Sequence, residues 1–417
     1  MRVLHILSQR PSLTGSGITL DAVVRHGAAA GWEQRVVVGV PSTAPPPDVG
    51  GLSSDRIHPL LFGSDRLPFP VPGMSDVMPY PSSVFSSMSA HEIELYRKGW
   101  HRHLGPIIED FGPDVIHSHH VWIASSLLKD IAPEIPVVNH CHATGLRQME
   151  LVPSLAGEVH LGCGRNDPFV VLHRRHAVDL ARALDVPGER IHVVGAGYRN
   201  DLFHTQGRDP KPEPALLYIG KYSAAKGLPW LLDAFERLAV RHPDLRLHIA
   251  GDGSGMEAER LRERMGAMGP QVALHGQVAQ TDLAALMRRS TVCVLPSFYE
   301  GLPLVLVEAL ACGCRLVATD LPGVVEELAP RIGAALELVE LPAMSGVDTP
   351  VPAELPAFVD RLTTALSRAL DAPPLGDPTE TIPEALDAFT WGAVFDRIER
   401  VWRDVIDRAS GIEPQGR

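Results

Sequence analysis

Short runs of apolar residues alternate along the chain with longer segments in which apolar residues recur every three or four positions. Such short runs predict β-strands, the longer segments predict helices, and their alternation is typical of parallel α/β domains. Helices are predicted at 21–30, 95–110, 227–240, 257–265 and 304–312. The predicted strands are 3–7, 35–40, 114–117, 136–139, 191–194, 215–219, 245–250, 272–275, 292–295 and 315–318. The pattern therefore predicts two α/β units in succession.

Several segments interrupt this alternation. A polar stretch rich in Pro and Ser occupies roughly 41–90 and is too long for an ordinary connection, so we expect a mobile loop or a partner surface. Residues 205–214 predict a linker between the units, and 341–384 is again rich in Pro. The segment 391–408 predicts an amphipathic helix, which is more typical of packing than of a site. Its apolar side carries Val394, Phe395, Ile398, Val401, Trp402 and Ile406.

Length and hydropathy limit the class of protein. A chain of 417 residues favours two domains over one large core. The 45% hydrophobic content with mixed charges is typical of a soluble globular protein, and no apolar run approaches the ~18 residues that a membrane span needs. Met1 and Arg2 lead directly into the first strand, which leaves no room for a signal peptide. We therefore expect a cytoplasmic protein without stable membrane insertion.

Charge and cysteine content exclude further classes. The net charge of −12, with no basic stripe to offset it, argues against nucleic-acid binding. Any phosphate site must then combine a few local cations with helix ends. The five cysteines are an odd set without paired metal-ligand spacing, and we predict reduced thiols, mostly in the core. They are Cys141, Cys163, Cys293, Cys312 and Cys314.

The most informative motif is a pair of carboxylates around a helix start. Seven residues separate Glu300 from Glu308. Glu300 is predicted in the loop after the strand 292–295, and Glu308 on a helix that begins near Pro303 and stops before Gly313.

The N-terminus of that helix is a candidate binding site for a phosphate or for polar hydroxyls. The amides of Leu302, Leu304 and Val305 are predicted to point outward with the positive end of the helix dipole. A carboxylate on either side can accept hydrogen bonds from paired hydroxyls of a sugar or ribose.

Two further loops are predicted at the ligand-binding edge of the second sheet. The loop 219–227 joins a strand to a helix and carries Lys221 and Lys226, which can neutralise a diphosphate. An ordinary solvated loop is the alternative. The turn 250–255 is rich in Gly but lacks the Gly-Lys-Ser/Thr of a Walker loop, and a plain turn explains it nearly as well.

In the first half, the glycine loop 13–21 follows the first strand and includes Gly17. It lacks the third glycine of the dinucleotide fingerprint, and no acidic residue clearly ends the second strand, so an NAD site is disfavoured. Backbone contact with a phosphate or a sugar remains open, and simple turn geometry is an equal alternative.

Histidines end the strand at 114–117, where His117 and His119 share one face. A zinc site would need a further ligand, which His142 could supply, and an open position. Donation to a substrate needs no extra ligand, and satisfied core histidines are common, so no metal is assigned. Three more polar residues of this half are candidates only if the fold brings them to the site: Arg147, Arg165 and His173.

Together these segments resemble glycosyltransferase family 4, whose members are retaining transferases with the GT-B fold. The match between residues 296–313 and the paired-glutamate motif is highly specific. The resemblance implies two Rossmann-like parallel-sheet domains facing across a cleft, with a C-terminal helix crossing back to the first. It implies an acceptor-binding domain at 1–205, completed by the helix 390–417, and a nucleotide-sugar-binding domain at 206–389.

The resemblance also implies roles for single residues. Glu300 is similar to the carboxylate that holds hydroxyls of the donor sugar, Glu308 to the one that binds the ribose, and His119 to the histidine near the sugar's reacting face. Glu300, His119 and Lys226 are thus the expected catalytic residues. The expected donor-binding set is Gly17, Lys221, Lys226, Glu300, Gly301, Leu302, Leu304, Val305 and Glu308, and the candidate acceptor residues are His142, Arg147, Arg165 and His173.

The chain departs from the family pattern mostly in or near its first domain. The family usually has Arg where Lys221 stands, and the change loses the bidentate fork. Residues 196–199 replace the usual Asn-Gly-Val-Asp, His173 replaces a Ser, and Pro322 stands before Gly323 in place of a glycine pair. These departures indicate an unusual acceptor.

We therefore expect a retaining, metal-independent transferase that uses a nucleoside diphosphate sugar, most simply a UDP- or GDP-sugar, and no cofactor. The acidic surface favours a small soluble acceptor, as in natural-product glycosylation. The alternatives are a GT-B-type nucleotide-sugar epimerase and a non-catalytic nucleotide-sugar binding protein. The oligomeric state, monomer or homodimer, is open.

Overall fold

The computed structural model describes residues 1–11, 14–75, 78–212 and 214–411. The chain divides into two compact units. The first contains Met1–Ala196 together with the segment that starts at Trp391, and the second contains Gly197–Thr390. The linker composition had placed this boundary slightly later, at 205–206. Among the described residues, no helix is both long and apolar enough to cross a bilayer.

The first unit is built on a parallel seven-stranded sheet in the order β3-β2-β1-β6-β7-β8-β9. Its strands, with the short separate pair β4–β5, are β1 (Arg2–Leu7), β2 (Glu33–Pro41), β3 (Ile57–Phe62), β4 (Pro72–Gly73), β5 (Ser83–Val84), β6 (Val115–His119), β7 (Val137–Cys141), β8 (Phe169–Val171) and β9 (Ile191–Val193). Its helices before the second unit are α1 (Gly15–Ala29), α2 (Ala90–Phe111), α3 (Ile123–Ser126), α4 (Leu128–Ile131), α5 (Thr144–Leu151), α6 (Pro153–Cys163) and α7 (Arg174–Leu184).

The second unit is built on a parallel six-stranded sheet in the order β12-β11-β10-β13-β14-β15. Its strands are β10 (Ala215–Ile219), β11 (Arg246–Ala250), β12 (Val272–Gly276), β13 (Val292–Leu295), β14 (Arg315–Thr319) and β15 (Leu336–Val339). Its helices are α8 (Leu228–Arg241), α9 (Gly255–Ala267), α10 (Gln280–Arg289), α11 (Leu304–Ala311), α12 (Ala329–Ile332), α13 (Leu355–Asp371), α14 (Pro378–Thr381) and α15 (Pro383–Asp387). The prediction of two parallel-sheet units is confirmed.

The last helix, α16 (Trp391–Ala409), returns to the first unit. Its apolar side packs on the sheet face that carries Val3, Val115 and Val138. The predicted amphipathic side is buried as expected, apart from Ile406, which is only partly buried. Residues 412–417, the end of the expected helix, lie outside the described part of the chain.

The segment 41–90 packs into the first unit. Its strand β3 pairs in parallel with β2, from Val36–Ile57 to Pro41–Phe62. The core around β1 buries its apolar side chains Phe62, Leu67, Phe69, Val71, Met74, Tyr80 and Phe85. The mobile-loop interpretation of this segment is therefore wrong. The sequence did not reveal the packing, because the buried apolar residues are widely spaced between prolines and show no regular periodicity. Asp76 and Val77 lie outside the described residues.

The expected linker at 205–214 is fastened to the second unit through Arg208. Its Nη1 donates to the carbonyl oxygens of Met287, Arg288 and Cys312, at 3.1, 3.0 and 3.1 Å, and its Nη2 donates to that of Ser290 at 2.9 Å. These carbonyls lie at the C-terminal ends of α10 and α11, where the helix dipole favours a cation. Glu213, also in this segment, is not among the described residues.

All five cysteines are free and buried, which agrees with the predicted core thiols.

Candidate functional site

In each sheet, one pair of neighbouring strands marks the point where the strand order reverses. In the second unit these strands are β10 and β13, which pair through Leu216–Val292 and Tyr218–Val294. Ligands of open parallel sheets bind beyond the carboxyl ends of such a pair. The two segments that leave those ends contain Lys221 and Lys226 after β10, and Glu300 after β13.

Lys226 and Glu300 are in direct contact at this edge. Lys226 ends a short helical turn, Ala224–Lys226, and its Nζ lies 2.7 Å from Oε1 of Glu300. Backbone contacts fix both loops, since the amide of Phe298 donates to the carbonyl oxygen of Ala225 at 3.0 Å. Gly227 follows with φ +72°, and a Cβ there would overlap the carbonyl oxygen of Pro296. Only glycine allows this approach of the two loops.

Glu300 and Gly301 lead into α11, whose N-cap is Pro303. No side-chain hydrogen bond caps this helix among the described residues, so its first amides are available to a ligand. The structure therefore places Leu302, Leu304 and Val305 at a helix N-terminus beside the Lys226–Glu300 pair.

Glu308 lies one turn further along α11 and is half-buried. Burial raises the pKa of its carboxyl from the usual 4.5 to about 7. Its negative charge also contributes to the raised pKa of the Cys293 thiol, after burial and the charge on Cys314. A desolvated carboxylate of this kind gains strongly from hydroxyl donors, which supply the hydrogen bonds that burial removed.

Lys221 is exposed at the same edge. Its carbonyl oxygen accepts a hydrogen bond from Oη of Tyr218 at 2.7 Å, and the amide of Tyr222 donates to the carbonyl oxygen of Asp252 at 3.1 Å. The turn after β11 thus supports the lysine loop. Gly251 has φ +130°, and a Cβ there would overlap the carbonyl oxygen of Gly220.

In the first unit the order reverses between β1 and β6, which pair in register at Leu7–His119. The glycine loop there is the first turn of α1, which begins at Gly15 and not at residue 21 as expected. Thr14 caps the helix, its Oγ1 accepting from the amide of Gly17 at 3.2 Å. Leu13 lies outside the described residues.

His120 is a central polar residue of this edge, and the sequence-based site set omitted it. Its Nε2 lies 3.1 Å from Oγ of Ser16, and its Nδ1 lies 3.1 Å from Oγ1 of Thr144. Its backbone has φ +72°, a strained conformation for a residue other than glycine that is frequent at functional sites. Sequence spacing gave no signal, because the three residues follow three different strands.

His119 and His142 are brought together as expected. Nδ1 of His119 lies 3.0 Å from Nε2 of His142, and their rings stack with centroids 5.2 Å apart. Arg147 follows them on α5, half-buried.

The remaining two candidates are not equivalent. His173 caps α7, its Nδ1 accepting from the amide of His176 at 3.2 Å, and so has a structural task at the carboxyl end of β8. Arg165 precedes β8 and therefore lies near the amino end of that strand, away from the carboxyl ends that form the candidate site. Its Nη1 lies 2.7 Å from Oδ1 of Asp130. The structure therefore separates Arg165 from the other candidates.

Comparison with known proteins decides the family. Residues 14–197 match the family model described as "Glycosyl transferase 4-like domain", and residues 213–339 match "Glycosyl transferases group 1". The two matches cover most of both units. The chain belongs to glycosyltransferase family 4.

Curated relatives and a solved structure agree with this assignment. The transferase is 27% identical to a glycogen synthase of Mycobacterium tuberculosis over 339 residues, 78% of this chain and 80% of the relative. It is 28% identical over 333 residues to D-inositol 3-phosphate glycosyltransferase 1 of Catenulispora acidiphila, 72% of this chain and 74% of the relative. The sucrose-phosphate synthase of Thermosynechococcus elongatus superposes with a TM-score of 0.71 at 17% identity, covering 98% of this chain and 99% of its own. The fold is GT-B, and the protein is a glycosyltransferase.

Proposed function

We propose that this transferase moves a sugar from a nucleoside diphosphate donor to an acceptor hydroxyl or similar nucleophile, with retention of the anomeric configuration and without a metal ion. The observation that carries the proposal is the Lys226–Glu300 contact of 2.7 Å beside the open N-terminus of α11. A cation, a helix N-terminus and a carboxylate together match a ligand with both phosphate and hydroxyl groups.

The donor binds through complementary groups on the second unit. Lys221, Lys226 and the amides of Gly301, Leu302, Leu304 and Val305 bind the diphosphate. Glu300 accepts hydrogen bonds from hydroxyls of the sugar, and Glu308 accepts them from the ribose. The acidity of the chain, with net charge −12, makes these local cations and dipoles the source of diphosphate affinity.

The reaction breaks the bond between the anomeric carbon and the leaving phosphate oxygen and forms a bond from that carbon to the acceptor oxygen on the same face. The acceptor proton moves to the leaving phosphate oxygen. Lys221, Lys226 and the α11 N-terminus stabilise the charge that develops on the diphosphate, which is electrostatic catalysis by preorganised groups. The family resemblance assigns His119 to the reacting face of the sugar.

The acceptor is proposed to contact the first unit. Gly17, His142, Arg147 and His173 lie after the carboxyl ends of its strands. One curated relative is named as a glycogen synthase and another as a D-inositol 3-phosphate glycosyltransferase, so their names do not point to one common acceptor. A small soluble acceptor, as in cytoplasmic natural-product glycosylation, suits the acidic surface.

A donor and acceptor screen tests the proposal. Purified protein is incubated with UDP-, GDP-, ADP- and dTDP-sugars, with and without small hydroxylated acceptors, and nucleoside diphosphate release is followed. NMR of the product then gives its anomeric configuration. We expect acceptor-dependent release and a retained anomer. An epimerised nucleotide sugar formed without acceptor, or an inverted product, would overturn the assignment.

A further inference from the structure

The first unit buries an unusual stack of imidazoles on one face of its sheet. His5, His117, His119 and His140 lie on the neighbouring strands β1, β6 and β7, and His142 follows β7. Ring centroids are 5.7 Å apart for His5–His117, 4.7 Å for His117–His119 and 4.1 Å for His140–His142. These residues continue the row of valines under α16, so they occupy positions where the fold otherwise places apolar side chains.

Most of the nitrogens in this stack are unpaired. Within the described chain, Nδ1 of His5, Nε2 of His119 and both ring nitrogens of His117 and His140 are buried without a hydrogen-bond partner. Buried polar atoms are almost always satisfied, and a group of unsatisfied ones in one place indicates an occupant that supplies the missing contacts.

Two overlapping sets of three histidines have ligand nitrogens within 4.8 Å of one another. The inner set, His5, His117 and His119, is closed by the ring of Trp402 from α16, 5.4 Å from His117 and 5.7 Å from His5. The outer set lies at the carboxyl end of the strands and includes His142, which is half-buried, whereas His119 and His140 are buried.

We propose that the outer set, His119, His140 and His142, is a binding site for a borderline transition-metal ion such as Zn²⁺, with an open fourth position for water. Three neutral imidazoles match the nitrogen-rich sets that Zn²⁺, Co²⁺ and Ni²⁺ accept, whereas Mg²⁺ and Ca²⁺ require oxygen ligands.

The electrostatics of the site favour neutral ligands. Burial, followed by the charges of other histidines, lowers the pKa of all three imidazoles below the usual 6.5, that of His140 to about 3. Neutral imidazole is the form that coordinates a metal. An ion would therefore displace no protons from these residues at neutral pH.

Binding requires a defined rearrangement. The rings of His140 and His142 are stacked at 16°, and those of His119 and His142 at 9°. With Zn–N bonds of about 2.0–2.1 Å in tetrahedral geometry, the nitrogens must converge on one point. The rings therefore turn about their Cβ–Cγ bonds, and the His119–His142 contact of 3.0 Å is replaced by two metal bonds.

The site has a consequence for catalysis, which rests on the proposed function. An ion on His119 removes that imidazole from the reacting face of the donor sugar. Zn²⁺ therefore acts as an inhibitor of a reaction that itself needs no metal, and a chelator restores activity.

The test uses the full chain without a histidine tag. Zn²⁺ affinity is measured by competition with a chromophoric chelator, and the visible absorption of bound Co²⁺ reports four-coordinate geometry. We expect one ion per chain. The variants His140→Gln and His142→Asn should each weaken binding by more than about a hundredfold, beyond the usual effect of losing an outer partner of a metal site. Because His142 follows β7 and is only half-buried, His142→Asn tests the site even if His140→Gln does not fold.

The matched control is His275→Asn in the second unit. His275 also forms a histidine pair, with its Nε2 3.0 Å from Nδ1 of His248, but that pair has no third imidazole in a metal-ligand set among the described residues. The control should leave Zn²⁺ affinity unchanged. Stoichiometric binding lost only in the first-unit variants supports the site; absent binding, binding equal in all variants, or binding lost in His275→Asn overturns it. Since these readouts involve no sugar transfer, a failed transferase assay would count against the proposed function alone.

Discussion

Nζ of Lys226 lies 2.7 Å from Oε1 of Glu300, with 26% and 19% of the two side chains exposed. The contact joins the segments that leave two neighbouring strands of the second sheet. Each group neutralises the other while the donor is absent. When the donor binds, its diphosphate competes for the ammonium of Lys226 and its sugar hydroxyls compete for the carboxylate of Glu300. Loss of the Glu300 carboxylate should therefore strengthen binding of the diphosphate and weaken binding of the sugar.

Glu300→Gln should affect diphosphate binding and sugar transfer in opposite directions. Removal of the carboxylate frees Lys226 and should tighten binding of a nucleoside diphosphate without a sugar by about two- to fivefold, the usual strength of a partly exposed ion pair. Turnover of the nucleotide sugar should fall at least ~10-fold, because the neutral amide oxygen of glutamine is a weaker hydrogen-bond acceptor for the sugar hydroxyls than a carboxylate. Calorimetry and a turnover assay measure the two effects. Weakened diphosphate binding would contradict this relationship.

Glu308→Gln should raise the thermal stability of the protein and lower its affinity for the donor. Because the folded pKa of about 7 exceeds the usual 4.5, the folded protein holds this proton more tightly than the unfolded chain. That contribution to stability is complete below pH 4.5 and is lost as pH rises through 7. The glutamine variant should therefore gain in Tm over the wild type between pH 5 and pH 8, while its donor affinity falls. Parallel Tm profiles of the two proteins would show that Glu308 is not desolvated.

Arg208→Ala should destabilise the second unit. The substitution removes the guanidinium donor from four carbonyl oxygens at the ends of α10 and α11. We expect a loss of about 2–4 kcal/mol in the free energy of unfolding, measured by urea denaturation. Arg208→Lys keeps the charge but not the fork and should lose less. Equal stability of all three proteins would mean that these contacts are absent in solution.

The histidine stack should make the first unit sensitive to acid. Burial lowers the pKa of His5 to about 4 and that of His117 well below 6.5. The unfolded chain then binds more protons than the folded one, so stability is complete above pH 6.5 and falls as pH drops towards 4. His117→Phe, which keeps a planar ring against Trp402, should flatten this dependence in urea titrations between pH 7.5 and 5. The exposed His91→Gln is the control and should follow the wild type; a His117→Phe profile as steep as that of the wild type would contradict the account.

Regular periodicity was sufficient to predict part of this fold. The bounds of β10 and β13 were predicted as they occur, because each is a short apolar run between clear turn signals. Of the elements that escaped prediction, three have a clear local reason. His58 and Pro59 interrupt the pattern of β3, β8 is only three residues long, and flanking prolines concealed α13.

For the candidate site too, local motifs were predictable from the sequence, whereas contacts between distant segments were not. The Glu300–Glu308 motif and the lysine loop are each local in sequence, and a strand-to-helix pattern was enough to place them at one sheet edge. The contacts of His120 with Ser16 and Thr144 join three segments that are distant in sequence. The pairing of Arg165 with Asp130 likewise joins residues that are distant in sequence. Such relationships require the tertiary structure.

Donor binding to the second unit tests the central claim most directly. Calorimetric titration with UDP-, GDP-, ADP- and dTDP-sugars would compare the wild type with Lys226→Met and with the control Lys98→Met, an exposed lysine of α2 paired with Glu94. We predict that at least one donor binds the wild type and the control equally. Lys226→Met should lower that affinity at least ~10-fold, the loss of one charge-assisted contact. Absence of binding to every donor, or equal affinity in Lys226→Met, would contradict the proposed donor site.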